Sequence, residues 1–450
     1  MNKHFLNVFA VFICVFLALS LSAADKQVKY VFLFIGDGMS TPQRMIAEEF
    51  SLKLGKGKLA INNMPYHGTT RTASANSLVT DSAAAATAIA CGVKTTNGKL
   101  GVDPQNKRLE SVAEVAKKKG KKVGIITSVT INHATPGGFY AHQPSRSNAY
   151  KIGLDLLASG FDYFGGGGMG GAADKKKDSA YKGNIYELAK KAGYKVVFGR
   201  KGFDSVTAND KKVWSIGTEG ALPYNIAGNK ELPTLADFTR QGIQVLDNPN
   251  GFFMMVEGGA IDWAGHANMA AENLHEVLGF NEAVKVAMDF AKKHPDDTLI
   301  IVTGDHETGG MTMGFAGSGY NLWVERLMHQ KMTLNDFHVM VKEKQKKNKA
   351  LTFDDIKADI TKNFGLKFTD DKKDIMRVNS KQLKSLEKGF KDGKLAFALR
   401  IVISDKAGIG WTSGAHTALP VLTTSQGKNA EVFSGLLDNT DISNRLKPMM

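Results

Sequence analysis

Four short apolar runs constrain this chain more than anything else in it. Tyr30–Ile35, Lys122–Thr127, Gly251–Val256 and Thr298–Val302 are rich in aromatic and β-branched residues and lack clean alternation. That is the pattern of strands buried on both faces. An alanine-rich helical stretch, Thr80 to Gly92, and a second helical pattern, Leu109 to Lys119 stopped by Gly120, lie between the first two runs. The strand–helix–strand rhythm predicts an α/β fold, a three-layer sandwich around a mostly parallel central sheet. Each run hands over to a loop bearing Asp, Glu, His or Thr: Asp37 after the first, His133 and Thr135 after the second, Glu257 at the third, Asp305 and His306 after the fourth. Ligands of open α/β sheets bind outside the carboxyl ends of the strands. One carboxylate at one strand end could arise by chance, but four deliveries to one edge predict a metal-dependent active site.

The 450 residues are 43% hydrophobic and 23% charged, a globular rather than disordered composition. Residues 1–24 read as a secretory signal peptide: Lys3, then an apolar Phe5 to Leu21, then Ser22-Ala23-Ala24 for cleavage. An uncleaved membrane anchor is the rival reading. No other run is long enough to span a bilayer, so an exported, periplasmic or secreted protein with no transmembrane segment in the mature chain is expected. Of the two cysteines, Cys14 would leave with the signal, so Cys91 has no internal disulfide partner and is expected to be packed. The net charge of +14 suits steering of an anionic substrate. The lysine clusters are not interleaved with aromatics, so no specific nucleic-acid binding is expected.

The alanine-rich stretch places Asp81 and Ser82 at a helix mouth, where free backbone N–H groups and the helix dipole favour negative charge. Taken alone it could be no more than a capped core helix. Asp262 and His266, four residues apart, share one face of a helical turn. His133, His142 and Arg146 share one loop, and His416 lies late in the chain in a glycine-containing loop. Gly165 to Gly171 lacks the lysine and hydroxyl residue of a P-loop and reads as a surface loop. Residues 317–398 read as a helical, lysine-rich insertion within a catalytic domain of residues 25–450, with Thr333 and Thr352 at helix starts and the sheet resuming at Leu395–Ile403. Aspartate and histidine with an open position suit catalytic zinc, and two such ions can clamp an in-line displacement. Arg146 can hold two phosphoryl oxygens in a fork.

These residues occur as ordered segments: Gly36-Asp37-Gly38-Met39-Ser40, Thr80-Asp81-Ser82-Ala83-Ala84 to Thr95, Ala134-Thr135-Pro136 with Arg146, Glu257 to His266, Thr303-Gly304-Asp305-His306, and Ser413-Gly414-Ala415-His416-Thr417. In that order, across nearly the whole mature chain, they resemble the alkaline phosphatases. The resemblance implies an alkaline-phosphatase-like fold and hydrolysis of small-molecule phosphate monoesters through a phosphoserine on Ser82. It implies a first zinc on Asp262, His266 and His416, a second on Asp37, Asp305 and His306, and a magnesium on Asp37, Thr135 and Glu257. It also implies a homodimer, with a monomer as the alternative. His133 and Trp263 stand where the best-known bacterial form has aspartate and lysine, although other bacterial members carry this pair. The third ion is therefore expected to be weakly held magnesium, or zinc or cobalt recruited by His133. A phosphodiesterase or sulfatase of the same broader fold, an acyl-transferring serine hydrolase, and an exported metal-binding protein without activity are the competing readings. The serine hydrolase lacks its Gly-x-Ser-x-Gly elbow, and metal storage needs neither Ser82 nor Arg146.

Overall fold

A computed structural model describes residues 27–228 and 231–450. The signal-peptide reading of residues 1–24 lies outside them. The strands, in chain order, are β1 (Tyr30–Gly36), β2 (Tyr66–Arg71), β3 (Lys122–Thr127), β4 (Tyr163–Gly167), β5 (Lys195–Phe198), β6 (Val213–Thr218), β7 (Phe252–Gly258), β8 (Thr298–Gly304), β9 (Glu307–Thr308), β10 (Met311–Met313), β11 (Ile409–Trp411), β12 (His416–Thr417), β13 (Val421–Gly427) and β14 (Gly435–Asp438). Among the described residues ten of them form one sheet, in the order β14-β2-β13-β8-β1-β7-β3-β4-β6-β5. All neighbours in it run parallel except β13, which is antiparallel to both β2 and β8.

Both sheet faces are covered by helices, so the central strands are apolar throughout. Along β1, Phe32 and Phe34 enter one core while Val31, Leu33 and Ile35 enter the other; along β7, Met254 and Met255 divide the same way. This period-2 alternation with two apolar sides explains the unbroken apolar runs. Register then does the positioning. Gly36, Gly258 and Gly304 lie side by side, and Thr127 lies beside Glu257. The residues that follow therefore emerge along one edge.

The helices that matter to the site are α1 (Ser82–Cys91), α2 (Ala260–His266) and α3 (Ala270–Lys293); those between β10 and β11 are α4 (Leu334–Lys347), α5 (Lys357–Phe364), α6 (Ser380–Lys391) and α7 (Leu395–Ala407). Helix α1 is capped by Asp81, whose carboxylate accepts from Ala84 N at 3.0 Å, and it ends at Gly92. Thr333 caps α4 by accepting from Asp336 N at 2.9 Å. The buried side chains of α4 to α7, including Phe337, Ile360, Leu386 and Leu399, belong to the same hydrophobic core as Phe32 and Phe34.

Two expectations fail. Leu395–Ile403 is not a strand but the larger part of α7. Its buried residues Leu395, Ala398, Leu399, Val402, Ile403 and Ala407 follow the i, i+3, i+4 spacing of one helix face. Nine apolar-rich residues fall between strand and helix lengths, and packing against the shared core makes the segment a helix. The glycine-rich stretch after Phe164 is not a surface loop at its start: Tyr163–Gly167 is a buried strand. Glycine serves close backbone approach there, since a Cβ on Gly166 (φ +114°) would lie 1.8 Å from Thr127 O.

Candidate active site

The edge at the ends of β1, β3, β7 and β8 gathers the acidic and histidine residues singled out above into one continuous cluster. Asp37 leaves β1 in a turn whose Gly38 (φ +70°) admits no side chain, because a Cβ would lie 2.7 Å from Thr308 Oγ1 and 2.9 Å from Asp262 Cα. Gly38 N in turn donates to Asp305 Oδ1 at 3.1 Å. Glu257 is the penultimate residue of β7, Asp262 and His266 sit on α2, Asp305 and His306 follow β8, and His416 opens β12. Strand β12 pairs with β9, which brings that late histidine back to the sheet edge.

Proton positions decide what these groups can do. His416 Nδ1 lies 2.8 Å from Thr80 O, and His266 Nδ1 lies 2.8 Å from Gly414 O. A carbonyl only accepts, so both Nδ1 atoms carry the hydrogen and both Nε2 atoms are bare lone pairs. Those nitrogens face each other at 3.1 Å, with Asp262 Oδ2 3.4 Å from His266 Nε2 and Asp262 Oδ1 3.6 Å from His416 Nε2. With both imidazoles neutral, two lone pairs and one carboxylate converge with no hydrogen between them, an arrangement that suits a cation.

The neighbouring centre has the same logic. Thr308 Oγ1 donates to Asp262 Oδ1, so it accepts from His306 Nδ1 at 3.2 Å. That leaves His306 Nε2 bare, 3.3 Å from Asp37 Oδ1, 3.3 Å from Asp305 Oδ2 and 3.2 Å from Ser82 Oγ. Asp37 Oδ1 and Asp305 Oδ2 are buried without a hydrogen-bond partner. Four ligand atoms at about 2.0–2.1 Å from a tetrahedral zinc are about 3.3 Å apart. The observed separations at both centres fit that ion. His306 stacks on His416, centroids 3.6 Å apart, so the two centres adjoin. Burial holds both imidazoles below the usual histidine range, in the neutral form that binds metal. Burial, then repulsion from a neighbouring carboxylate, Asp305 beside Asp37 and Asp262 beside Asp305, holds both carboxyls well above the usual carboxylate range in the metal-free chain.

A third group differs. Asp37 Oδ2 accepts from Thr135 Oγ1 at 3.1 Å, and Glu257 Oε2 accepts from Thr127 Oγ1. His133 Nε2 lies 3.2 Å from Arg146 Nη2, which can only donate. Its Nδ1 therefore carries the hydrogen and points between Asp37 Oδ2 and Glu257 Oε1, 3.8 Å from each. With that tautomer the donors are the oxygens of Asp37, Thr135 and Glu257; with the other, Nδ1 joins them, and Asp37, His133 and Glu257 together could hold a metal ion. Trp263 packs edge-on against His133, centroids 6.2 Å apart. Arg146 is also held by Asp81, Nη1 to Oδ2 at 3.1 Å, so the α1 cap and the guanidinium are positioned by one carboxylate.

Comparison with known proteins agrees with this geometry. The family model for alkaline phosphatase matches residues 28–450. The chain belongs to the alkaline phosphatase family. It is similar to alkaline phosphatase 3 of Bacillus subtilis, 33% identical over 433 residues, covering 93% of this chain and 88% of that protein. Among solved structures it resembles the cold-active alkaline phosphatase of Shewanella sp., 29% identical with a TM-score of 0.81, covering 93% of this chain and 98% of that one. It also resembles a variant of the alkaline phosphatase of the Antarctic bacterium TAB5 with Mg bound in the M3 site, 26% identical with a TM-score of 0.67, covering 94% and 99%. The protein is accordingly a phosphatase acting on phosphate monoesters, with a metal-binding centre and the alkaline phosphatase fold.

Some site features escaped the sequence. His142 does not join His133 and Arg146; it bonds Gly101 O at 2.9 Å and Glu114 Oε1 at 3.1 Å. Thr308 bridges Asp262 and His306, and Thr127 fixes Glu257, yet neither hydroxyl stood out among ordinary strand threonines. Asp81 was visible as a cap but not as the anchor of Arg146. Cys91 is buried at the end of α1, its thiol pushed up to about 12 by burial, which leaves it inert. Among the described residues no helix is long and apolar enough to cross a membrane.

Proposed function

We propose that this phosphatase works through a covalent phosphoserine on Ser82, with two zinc ions and a third, magnesium, ion. The observation that carries the reading is the set of bare Nε2 lone pairs on His266, His306 and His416, spaced from their carboxylate neighbours as ligands of tetrahedral zinc. Asp262, His266 and His416 would hold one zinc, and Asp37, Asp305 and His306 the other. When bound, such ions lower the pKa of coordinated oxygens and neutralise charge on the entering and leaving oxygens.

The protein's own groups do the rest. Ser82 Oγ attacks phosphorus from the mouth of α1, where free N–H groups and the helix dipole favour the phosphoryl charge. Its proton goes to solvent, because His306 Nε2 is committed as a ligand. The ester P–O bond breaks, and the alcohol leaves with a proton from water. Water then attacks phosphorus, the P–Oγ bond breaks, and phosphate departs with Ser82 restored. Arg146, anchored by Asp81 and His133, offers its fork to two phosphoryl oxygens. The oxygen donors Asp37, Thr135 and Glu257 suit hard, octahedral magnesium, and the hydrogen on His133 Nδ1 argues against His133 recruiting zinc or cobalt.

The decisive experiment is acid-quench labelling. The zinc-loaded enzyme, briefly exposed to labelled phosphate at acid pH and denatured, should carry label on Ser82; label elsewhere, or none alongside full activity, rejects the covalent route. We further infer export with cleavage near Ala24, a single catalytic unit over residues 25–450 with 317–398 inserted in it, and assembly as a homodimer. N-terminal sequencing of the exported protein and sedimentation test the first and last.

A further inference from the structure

The floor of the ligand cluster is buried, and His266, Arg146 and Trp263 reach solvent around it. The side chains of Asp37 and His306 are fully buried, Asp262 is 5% exposed and His416 13%, but His266 is 41% exposed. The organic part of a bound phosphate ester can leave the cluster past His266. A groove of about 480 Å³ begins two residues beyond His266, at Asn268, and runs between α7 and the β10 and β11 segments. It is tied directly to the site: Asn268 Nδ2 donates to Gly265 O at 3.0 Å and to Ser413 O at 2.8 Å, and the loop of its far wall, Trp411 to Thr412, continues to His416.

The walls have a definite chemistry. Phe315, Trp411, Phe397 and Ile401 are aromatic or apolar, and Phe397 and Ile401 are 53% and 44% exposed. Such exposure costs free energy in water unless something covers it. The Arg400 guanidinium carbon lies over the Phe397 ring, 4.0 Å from its centroid, and the group is anchored by donating to Ala267 O, the residue after His266. Its Nε is buried without a hydrogen-bond partner. Asp405 adds a carboxylate to the groove.

We propose that this groove is the subsite for the alcohol part of the substrate, and that it fits a planar base such as that of a nucleoside 5′-monophosphate. The inference rests on the phosphatase reading above. Aromatic rings and a flat guanidinium stack on a base face without regard to sequence. Asp405 accepts from exocyclic amino or ribose hydroxyl groups, and it repels alcohols that carry an anionic group. Glycerol phosphate reaches the metals but has no ring to place against these walls.

The test uses the full-length zinc-loaded enzyme and reads the ratio of kcat/KM for adenosine 5′-monophosphate to that for glycerol 3-phosphate. Phe397→Ala and Ile401→Ala alter exposed side chains and should fold. Each should lower the ratio, Phe397→Ala by about five- to tenfold, the size of one lost stacking partner. Asp405→Asn should lower it for adenosine monophosphate while sparing phenyl phosphate. Free adenosine should inhibit the unaltered enzyme competitively, and Phe397→Ala more weakly. An unchanged ratio in both alanine variants overturns the subsite. So does an unchanged ratio accompanied by dissociation of the enzyme into smaller species, which would make this face a contact between copies. Failure of the unaltered enzyme to hydrolyse either ester would instead strike the phosphatase reading.

Discussion

Changing His133 to aspartate together with Trp263 to lysine should convert the third group into a tighter magnesium site. In the zinc-loaded, magnesium-free protein, with Asp37 ionised as a proposed zinc ligand, the new carboxylate would sit near the present Nδ1, which is 3.8 Å from both Asp37 Oδ2 and Glu257 Oε1. Each such like-charge pair costs about 4 kcal/mol at an effective permittivity near 20, so two cost about 8. Holding a proton on that aspartate at pH 8 costs about 5–6 kcal/mol from its ordinary pKa, so the magnesium-free variant keeps the proton. A divalent ion at a similar distance returns about 8 kcal/mol, cancels the repulsion and releases the proton. The ceiling on the gain is thus about 5 kcal/mol. Stripping water from the carboxylate and the charge of Lys at 263 consume much of it, leaving about 1.5–3 kcal/mol, a ten- to hundredfold lower magnesium midpoint. Magnesium is titrated by calorimetry into zinc-loaded, magnesium-free protein, with activity followed in parallel. Because His133 and Trp263 pack together, the double variant is compared with both singles. A midpoint unchanged within twofold in the double variant refutes the reasoning, because it would mean that His133 already acts as a ligand equal to a carboxylate.

Ser82→Ala should abolish the acid-stable label and lower kcat by about a thousandfold or more, and full turnover would reject the covalent step. A chelator should inactivate the enzyme and zinc restore it, while His416→Ala, lacking one of three protein donors, should lose zinc on dialysis at least about tenfold more readily; an active protein free of divalent metal by elemental analysis refutes the site. Glu272, buried on α3 and accepting from Leu334 N at 2.8 Å at the start of α4, has its carboxyl pushed up to about 7 by burial. The folded state therefore binds more protons than the unfolded one between about pH 4.5 and 7, and this group's contribution to stability is lost as pH rises through that window. Glu272→Gln should flatten the pH dependence of denaturant stability there by about 3 kcal/mol in metal-free protein, and parallel curves for the two proteins would show that the carboxyl is not buried as described.

What the sequence alone determined was the sheet and the inventory of its active edge. Strands buried on both faces leave unbroken apolar runs, and Asp37, Glu257, Asp305 and His306 follow those runs directly, so their common edge could be read from the order of residues. The same rule misread Leu395–Ile403, because an apolar run in a chain with two cores does not announce its period; only packing against the shared core makes it α7. Gly166 looked like slack and is a close backbone contact, a fact that belongs to Thr127 on the neighbouring strand. His416 reaches His266 only because β12 pairs with β9, about 110 residues earlier in the chain. Which imidazole nitrogen is bare was likewise beyond the sequence. It depends on the carbonyls of Thr80 and Gly414, on Thr308 and on the guanidinium of Arg146, partners brought together by the tertiary fold. Residue type supplies the ligands, but a hydrogen bond from a distant partner chooses the tautomer, and the tautomer separates the two proposed zinc centres from the third site.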